Sequence, residues 1–370
     1  MNKSETRSAS LKTLWGEIQH PRIRYRCHKC QSSLSQWADP SLDNSHCSPL
    51  VLSRTQEFAL HVPYRTAQAF LHTWGVNISS SQIADLSRAL ETSSTHLSEQ
   101  HLEHLAGQAL PRVVLNRISG LLRLPVTWML EVDGTLIPTR VTDEDGHVRV
   151  EYREIKSAVL YQKNTPSERY QLSVLHGVER FTTLLLGLLR FAGVSQADCL
   201  VGLSDGAVWI ANVFVDACVN YHVLDVFHAS SYLETLMLGL GWNETERAAE
   251  RCYLQRGQID LRSWLNVYVR PEQARALEAE PLKALQYLER QTELLHTTYP
   301  AFKALGLEVI GSGEIEGANK SVIGSRLKVS GAQWSVCGAH SKSFARGMWA
   351  SQREVMGFDQ VRFEAFPRAA

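Results

Sequence analysis

Three acidic residues in this 370-residue chain have the type and setting for phosphoryl-transfer chemistry: Asp133 in Leu-Glu-Val-Asp-Gly-Thr, Asp205 in Gly-Leu-Ser-Asp-Gly-Ala, and Glu316 in Gly-Ser-Gly-Glu-Ile-Glu-Gly-Ala-Asn-Lys. Both aspartates are predicted at the ends of buried strands and Glu316 on a helix. A carboxylate delivered there is costly to hold unless a cation neutralises it, so the three together point to a shared divalent metal site. Hard oxygen ligands favour magnesium or manganese, and two such ions are the usual device for in-line displacement at phosphorus. A lone Asp-Gly is usually only a turn. Two of them, each directly after a predicted strand, are harder to read that way.

The elements that must position these groups follow from residue patterning. Trp128 to Val132, Val148 to Tyr152 with Ile155 to Tyr161, and Tyr170 to Leu175 are rich in β-branched and aromatic residues and predict three consecutive strands, the last one after a turn at Asn164-Thr165-Pro166. Phe181 to Phe191 predicts a buried helix, Cys199 to Leu203 a short buried strand, Val208 to Val219 a helix, and His222 to Val226 another strand. The order β-β-β-α-β-α-β is that of an RNase H-like core. From Ser230 to about Pro300 Leu, Glu, Arg, Ala and Gln recur at helical spacing, which predicts an all-α insertion before the chain returns to the core through Gly311-Ser312-Gly313. The run from Ile310 to Gly317 superficially resembles a dinucleotide fingerprint. Too little chain follows it for a second βαβ unit, which excludes that reading.

Several motifs then agree in order: Val-Asp-Gly-Thr (132–135), Arg-Glu-Ile-Lys (153–156), Ser-Asp-Gly-Ala-Val-Trp-Ile (204–210), Leu-Asp-Val-Phe-His (224–228), Ile-Gly-Ser-Gly-Glu-Ile-Glu (310–316) and Arg-Leu-Lys-Val-Ser-Gly-Ala-Gln-Trp-Ser (326–335). Across residues 125–350 the chain resembles DDE-type insertion-sequence transposases of the ISKra type, which are related to Mutator-like recombinases. The resemblance implies an α/β (α+β) fold with a mixed-sheet RNase H-like core, and a metal-dependent transposase that cleaves DNA and transfers strands at the ends of an insertion sequence. It also selects Glu316 over Glu314 as the third acid and gives His228, in Asp225-Val226-Phe227-His228, a role beside the scissile phosphate. Without the resemblance, His228 and Asp225 read equally as caps of the next helix. Readings of other classes are a catalytically inactive or truncated transposase-derived DNA-binding protein and an RNase H-like nuclease without strand transfer.

Upstream of the core, residues 1–55 form a basic segment and residues 56–124 a helical one, completing a mostly helical N-terminal region. Cys27-His28-Lys29-Cys30 is half of a zinc site that His46 and Cys47 could complete; the alternative is a solvated basic arm. Ala67, Phe70, Leu71 and Trp74, the turn at Gly75-Val76-Asn77, and Ile83, Leu86 and Leu90 outline either a helix-turn-helix DNA reader or an ordinary helical hairpin. A further helix is expected over about 95–105.

The 38 basic and 38 acidic side chains balance, so any DNA-binding surface must come from uneven distribution. Residues 1–30 hold seven Lys or Arg against Glu5 and Glu17. Residues 317–353 hold Lys320, Arg326, Lys328, Lys342, Arg346 and Arg353 and no acid. In that second segment the cations predict phosphate contacts and Trp334 a base-stacking surface, with a solvated basic face and a core tryptophan as the alternative. The expected partners are DNA, as terminal inverted repeats and target, and further copies of the chain. Seven scattered cysteines and no signal-peptide pattern predict a cytoplasmic setting with free thiols, and the apolar run from Phe181 to Val194 is far short of the roughly 20 residues of a membrane span. The domain expectation is thus 1–55, 56–124, core 125–229, insertion 230–305, core helix and basic segment 306–350, and a tail 351–370.

Overall fold

The structure, a computed structural model, describes residues 2–39, 42, 46–108, 126–163, 165–294 and 311–351. Expectations for Asn164, Ile310, Arg353 and nearly all of the tail lie outside these residues. No described helix is long and apolar enough to cross a membrane.

The N-terminal segment is neither arm nor helix. It forms a three-stranded antiparallel sheet, β1 (Asn2–Thr13), β2 (Gly16–Arg26) and β3 (Ser33–Trp37), in the order β1-β2-β3. The strands escape a hydrophobicity reading because the sheet buries so little: Leu11 and Trp37 go under while most of β2 stays at least partly exposed, so no apolar alternation develops. Three helices follow, α1 (Pro49–His61), α2 (Tyr64–Thr73) and α3 (Ser80–Ala106). Ser79 and Gln82 close a capping box at the start of α3, which continues through 95–105 as one helix. It buries Ile83, Leu90 and Leu102 within the body of the protein, and Arg88 pairs with Asp85 on its surface.

The central sheet has the order β6-β5-β4-β7-β8, with a short ninth strand on β4. β4 (Thr127–Thr142), β5 (Val148–Gln162) and β6 (Thr165–Val174) form an antiparallel meander. α4 (Val178–Phe191) then crosses to β7 (Cys199–Ser204), which pairs parallel with β4, and α5 (Val208–Asp216) leads to β8 (Tyr221–Leu224), parallel to β7. The protein is therefore mixed α/β around one mixed sheet.

Side-chain alternation divides this sheet into two faces. Trp128, Leu130, Val132 and Leu200 pack on Phe181, Leu184, Leu185 and Leu188 of α4. Gly187 of α4 has no room for a Cβ because the Leu102 carbonyl of α3 presses against it. On the other face Val201, Leu203 and Val223 pack against a helical insertion made of α6 (Val226–Gly239), α7 (Glu244–Gln255), α8 (Leu261–Tyr268), α9 (Pro271–Ala276) and α10 (Ala279–Leu294). The same face receives α11 (Gly313–Ala318), whose Ile315 and Ala318 lie on Val159. The chain continues through a π-helical turn (Asn319–Gly324), α12 (Ser325–Leu327), β9 (Trp334–Ser335) and α13 (Val336–Ala350).

Candidate active site

Asp133 does not end its strand. It lies midway along β4, at the point where parallel pairing with β7 stops and β4 runs on as a ribbon with β5. The β4–β7 register pairs Thr127 with Cys199 and Glu131 with Leu203; two further steps place Asp133 beside Asp205, which follows the last residue of β7. Their proximity is felt electrostatically. Burial, aided by the Asp205 charge, pushes the Asp133 carboxyl up from its usual range, while hydrogen bonds from Gly134 and Asn319 and the charge of His228 pull it down. Asp133, Asp205 and His228 thus share one neighbourhood.

Each of these groups is held by specific contacts. The Asp133 carboxylate accepts from its neighbour Gly134 N–H at 2.7 Å and from Asn319 Nδ2 at 2.7 Å. Asp205 accepts the Ala207 N–H at 2.9 Å, which leaves its second oxygen for another partner. Gly206 has φ +83°, and a Cβ there would strike Gln291. The insertion grips this loop: Gln291 donates to the Gly206 carbonyl at 2.9 Å and the Tyr287 hydroxyl donates to the Asp205 carbonyl. His228 is exposed in the first turn of α6, which Asp225 caps by accepting from the Phe227 and His228 N–H groups. Asp225 is therefore a cap, completely buried, and it also accepts from Ser312 N–H and Oγ. Those four donors outweigh burial and hold its carboxyl below the ordinary range.

Glu131, unremarked in the sequence, is the second buried acid at this junction. It is 1% exposed and accepts from Tyr161 Oη at 2.7 Å and from the Ile315 N–H of α11 at 2.9 Å. Glu131 and Asp225 together fix the start of the helix that carries Glu316. Burial raises the Glu131 carboxyl to about 6. A folded-state value above the unfolded 4.5 means that the folded protein binds more protons between pH 4.5 and 6, so this group's contribution to stability falls as pH rises through that window. The difference is about 2 kcal/mol. Glu131→Gln, which can still accept from Ile315 and donate to Tyr161, is expected to remove that slope and to unfold at a higher urea midpoint than the parent at pH 7, with the gap closing below pH 4.5.

Glu316 is on α11 above the same sheet face, and its carboxylate is 3.4 Å from Lys320 Nζ. Asp133, Asp205 and Glu316 are not among the triplets of metal-capable groups that the described residues bring within 4.8 Å of one another. Glu314 turns away to Arg169. Asn319, one turn beyond Glu316, is the residue of this segment that reaches Asp133, and its place in the Gly-Ala-Asn-Lys run was its only sequence signal. Two carboxylates with free oxygen lone pairs suit a hard divalent cation. Lys320 meets only Oε2 of Glu316, which leaves Oε1 for a cation.

Two other triplets meet the 4.8 Å spacing that a cation would need, Glu99–His176–His340 and Asp143–Asp145–His147. In the first, His340 Nδ1 accepts the Leu175 N–H at 3.2 Å, so the neutral ring carries its proton on Nε2, which faces Glu99 at 3.1 Å. That proton occupies the lone pair a metal would use. The second triplet is the partly exposed tip of the β4–β5 hairpin.

The zinc ligands are not brought together. Cys27 and Cys30 sit in the β2–β3 connection, where Cys27 N–H donates to the Ser32 carbonyl and a hydrogen bond from Ser32 lowers the Cys30 thiol to about 7. Cys47 is buried beside Lys12, toward the opposite end of the β1–β2 hairpin, roughly 30 Å away at ~3.3 Å per residue. His46 is engaged by Arg22 and stacks edge-on against Trp37. All seven cysteines are free thiols.

The basic C-terminal segment is also different from expectation. Lys320 and Lys328 are exposed, the latter donating to Thr135 Oγ1 at 2.6 Å. Arg326, Lys342 and Arg346 are 4%, 0% and 6% exposed, so they are not a phosphate-binding surface. Lys342 bonds the Ala59 carbonyl, Ser87 and Glu91; Arg346 bonds the Leu60, Ser321 and Val322 carbonyls. One carboxylate faces three cations, and the remaining compensation comes from carbonyls at the C-terminal end of α1, where the helix dipole is negative, and from those of Ser321 and Val322. Burial still pushes Lys342 down to about 8. Trp334 is half-buried with the Arg326 guanidinium 4.7 Å from its ring centroid, which occupies one face of the indole. These cations tie the N-terminal helices to α13.

No protein-family model matches the chain, and no curated protein matches it either.

Proposed function

We propose that this chain is a DDE-type transposase with an RNase H-like core, which cleaves DNA at the ends of an insertion sequence and joins the freed 3′-hydroxyl to target DNA. The observation that carries this reading is the electrostatic proximity of Asp133 and Asp205 just past the end of the parallel β4–β7 ladder, with His228 in the same neighbourhood. Asp133 and Asp205 would hold magnesium or manganese, with Glu316 as third ligand once its side chain turns toward them. Two bound ions supply activation of the attacking oxygen and stabilisation of the leaving oxygen. Asn319 orients the Asp133 carboxylate, and His228 presents an exposed ring to donate to a phosphate oxygen. Tyr287 and Gln291 hold the Asp205 loop rigid, so that the metal-binding oxygens stay in place as charge shifts.

Support for DNA as partner comes from the N-terminal sheet. Arg22, Arg24 and Arg26 alternate along β2 and therefore share a face, to which cross-strand pairing adds Arg7 opposite Arg22. Residues 1–30 carry a surplus of five positive charges in a chain that is neutral overall. Arg24→Ala and Arg26→Ala are each expected to weaken binding to duplex DNA about equally for all sequences and to lower the salt dependence by about one counterion, as read by anisotropy titrations at several salt concentrations.

That Asp133, Asp205 and Glu316 do not come within 4.8 Å of one another favours a second reading, a DNA-binding descendant of a transposase that no longer cuts. Incubating the full chain with plasmid carrying its flanking genomic sequence, in magnesium, manganese or chelator, separates the two. The first reading expects metal-dependent breaks ending in 3′-hydroxyls near inverted repeats. Tight DNA binding with no breaks in either metal would favour the second, and absence of DNA binding would sink both.

A further inference from the structure

We infer that Tyr232 and Tyr287, with Arg290, form a stacking platform for a nucleobase next to the Asp133–Asp205 pair. The two rings lie 3.7 Å apart between centroids with planes 19° from parallel, so each fixes the plane of the other. Tyr287 is anchored by its hydrogen bond to the Asp205 carbonyl, which sets the height of the platform relative to that aspartate. Tyr232 is 37% exposed and stands one helical turn beyond His228 on α6, so both side chains emerge on the same side of the helix. A tyrosine needed only to pack α6 on α10 would be buried there; this one stays partly in solvent while stacking on the tyrosine that holds the Asp205 loop. The exposed Arg290 has its guanidinium 5.8 Å from the Tyr287 ring centroid and supplies the cation an anionic backbone would require.

A flat π-surface next to a cation fits one ligand class better than others, an unpaired nucleotide, because any base stacks on an aromatic ring and its phosphate pairs with arginine. The platform's neighbours make it the base flanking the phosphate held at Asp133 and Asp205. This rests on reading that pair as a phosphodiester site. The base must leave the duplex to reach Tyr232, so an unpaired or mismatched nucleotide should bind more readily than a paired one.

The probe is a single-stranded oligodeoxynucleotide of thymidines carrying one 2-aminopurine, titrated with the full chain in calcium. The parent protein is expected to quench 2-aminopurine fluorescence through stacking. Tyr232→Phe and Tyr232→Trp should keep the quenching. Tyr232→Leu should lose it and bind about 5- to 100-fold more weakly, with a thermal unfolding midpoint near that of the parent, and Arg290→Ala should weaken binding while retaining quenching. Equal quenching and affinity in Tyr232→Leu, or no quenching by the parent, would overturn the inference. Its failure can be told from failure of the active-site reading. Tyr232-dependent quenching in a protein that never cuts DNA leaves the platform standing and removes the chemistry, whereas metal-dependent cutting with Tyr232 dispensable removes only the platform.

Discussion

Asp205→Asn is expected to abolish metal-dependent DNA cleavage while leaving DNA binding intact, and to do so without weakening the fold. The asparagine carbonyl can still accept the Ala207 N–H, and the oxygen replaced is the one with no intramolecular hydrogen bond in the loop. What disappears is a negative charge beside Asp133, whose carboxyl is raised by burial and by that same charge. Cleavage should fall by more than the roughly 10- to 100-fold expected for a residue that merely supports a ligand. Thermal unfolding offers an independent reading. Magnesium should raise the unfolding midpoint of the parent, because a ligand bound only by the folded state stabilises it. The variant should unfold at or above the parent's midpoint in chelator and gain little from magnesium. Retained cleavage with a normal magnesium shift would remove Asp205 from the site.

Lys342→Met is expected to have the largest effect on stability. It leaves Glu91, 2% exposed, as a buried carboxylate without its lysine, and such a loss costs about 3–5 kcal/mol. Urea unfolding followed by circular dichroism reads this directly. Lys342→Met with Glu91→Leu should recover only part of the loss, because Glu91 also offsets the buried Arg326 and Arg346, which the double change leaves without a carboxylate. A phosphate-contacting lysine would behave in the opposite way: its loss would leave stability unchanged, reduce DNA affinity and flatten the salt dependence. If Lys342→Met did that, the buried network between α1, α3 and α13 would be wrong.

The elements around Asp205 were legible because each announces itself locally. Cys199 to Leu203 is a short apolar run closed by Ser-Asp-Gly, the segment from Phe181 to Phe191 is apolar at helical spacing, and residues 230–294 carry helical periodicity, and all three fold accordingly. The two strand-borne acids could therefore be chosen from sequence. The N-terminal sheet could not, because a sheet with little burial leaves no hydrophobic period to read, and a Cys-x-x-Cys pair offered a competing explanation for the same residues.

Residue types along the chain determined that three acids, one histidine and a run of cations were available, and the local periodicities determined which lay on strands and which on helices. Tertiary structure alone decided their partners. Parallel register between β4 and β7 set Asp133 next to Asp205 although they lie 72 positions apart, and a strand that looked finished at Asp133 instead runs on to Thr142 because β5 pairs with it. Charge as such carries no information about burial: Lys328 and Lys342 look alike in sequence, yet one reaches Thr135 at the surface and the other is completely enclosed by Ala59, Ser87 and Glu91. The cost of burying a cation is met only by groups that other segments deliver, here a helix C-terminus and a carboxylate more than 250 positions away. For the same reason Glu131 and Tyr287 carried no signal of their own and Asn319 only its place in the Gly-Ala-Asn-Lys run, since each acts through a contact that exists only once the sheet, α11 and α10 have packed.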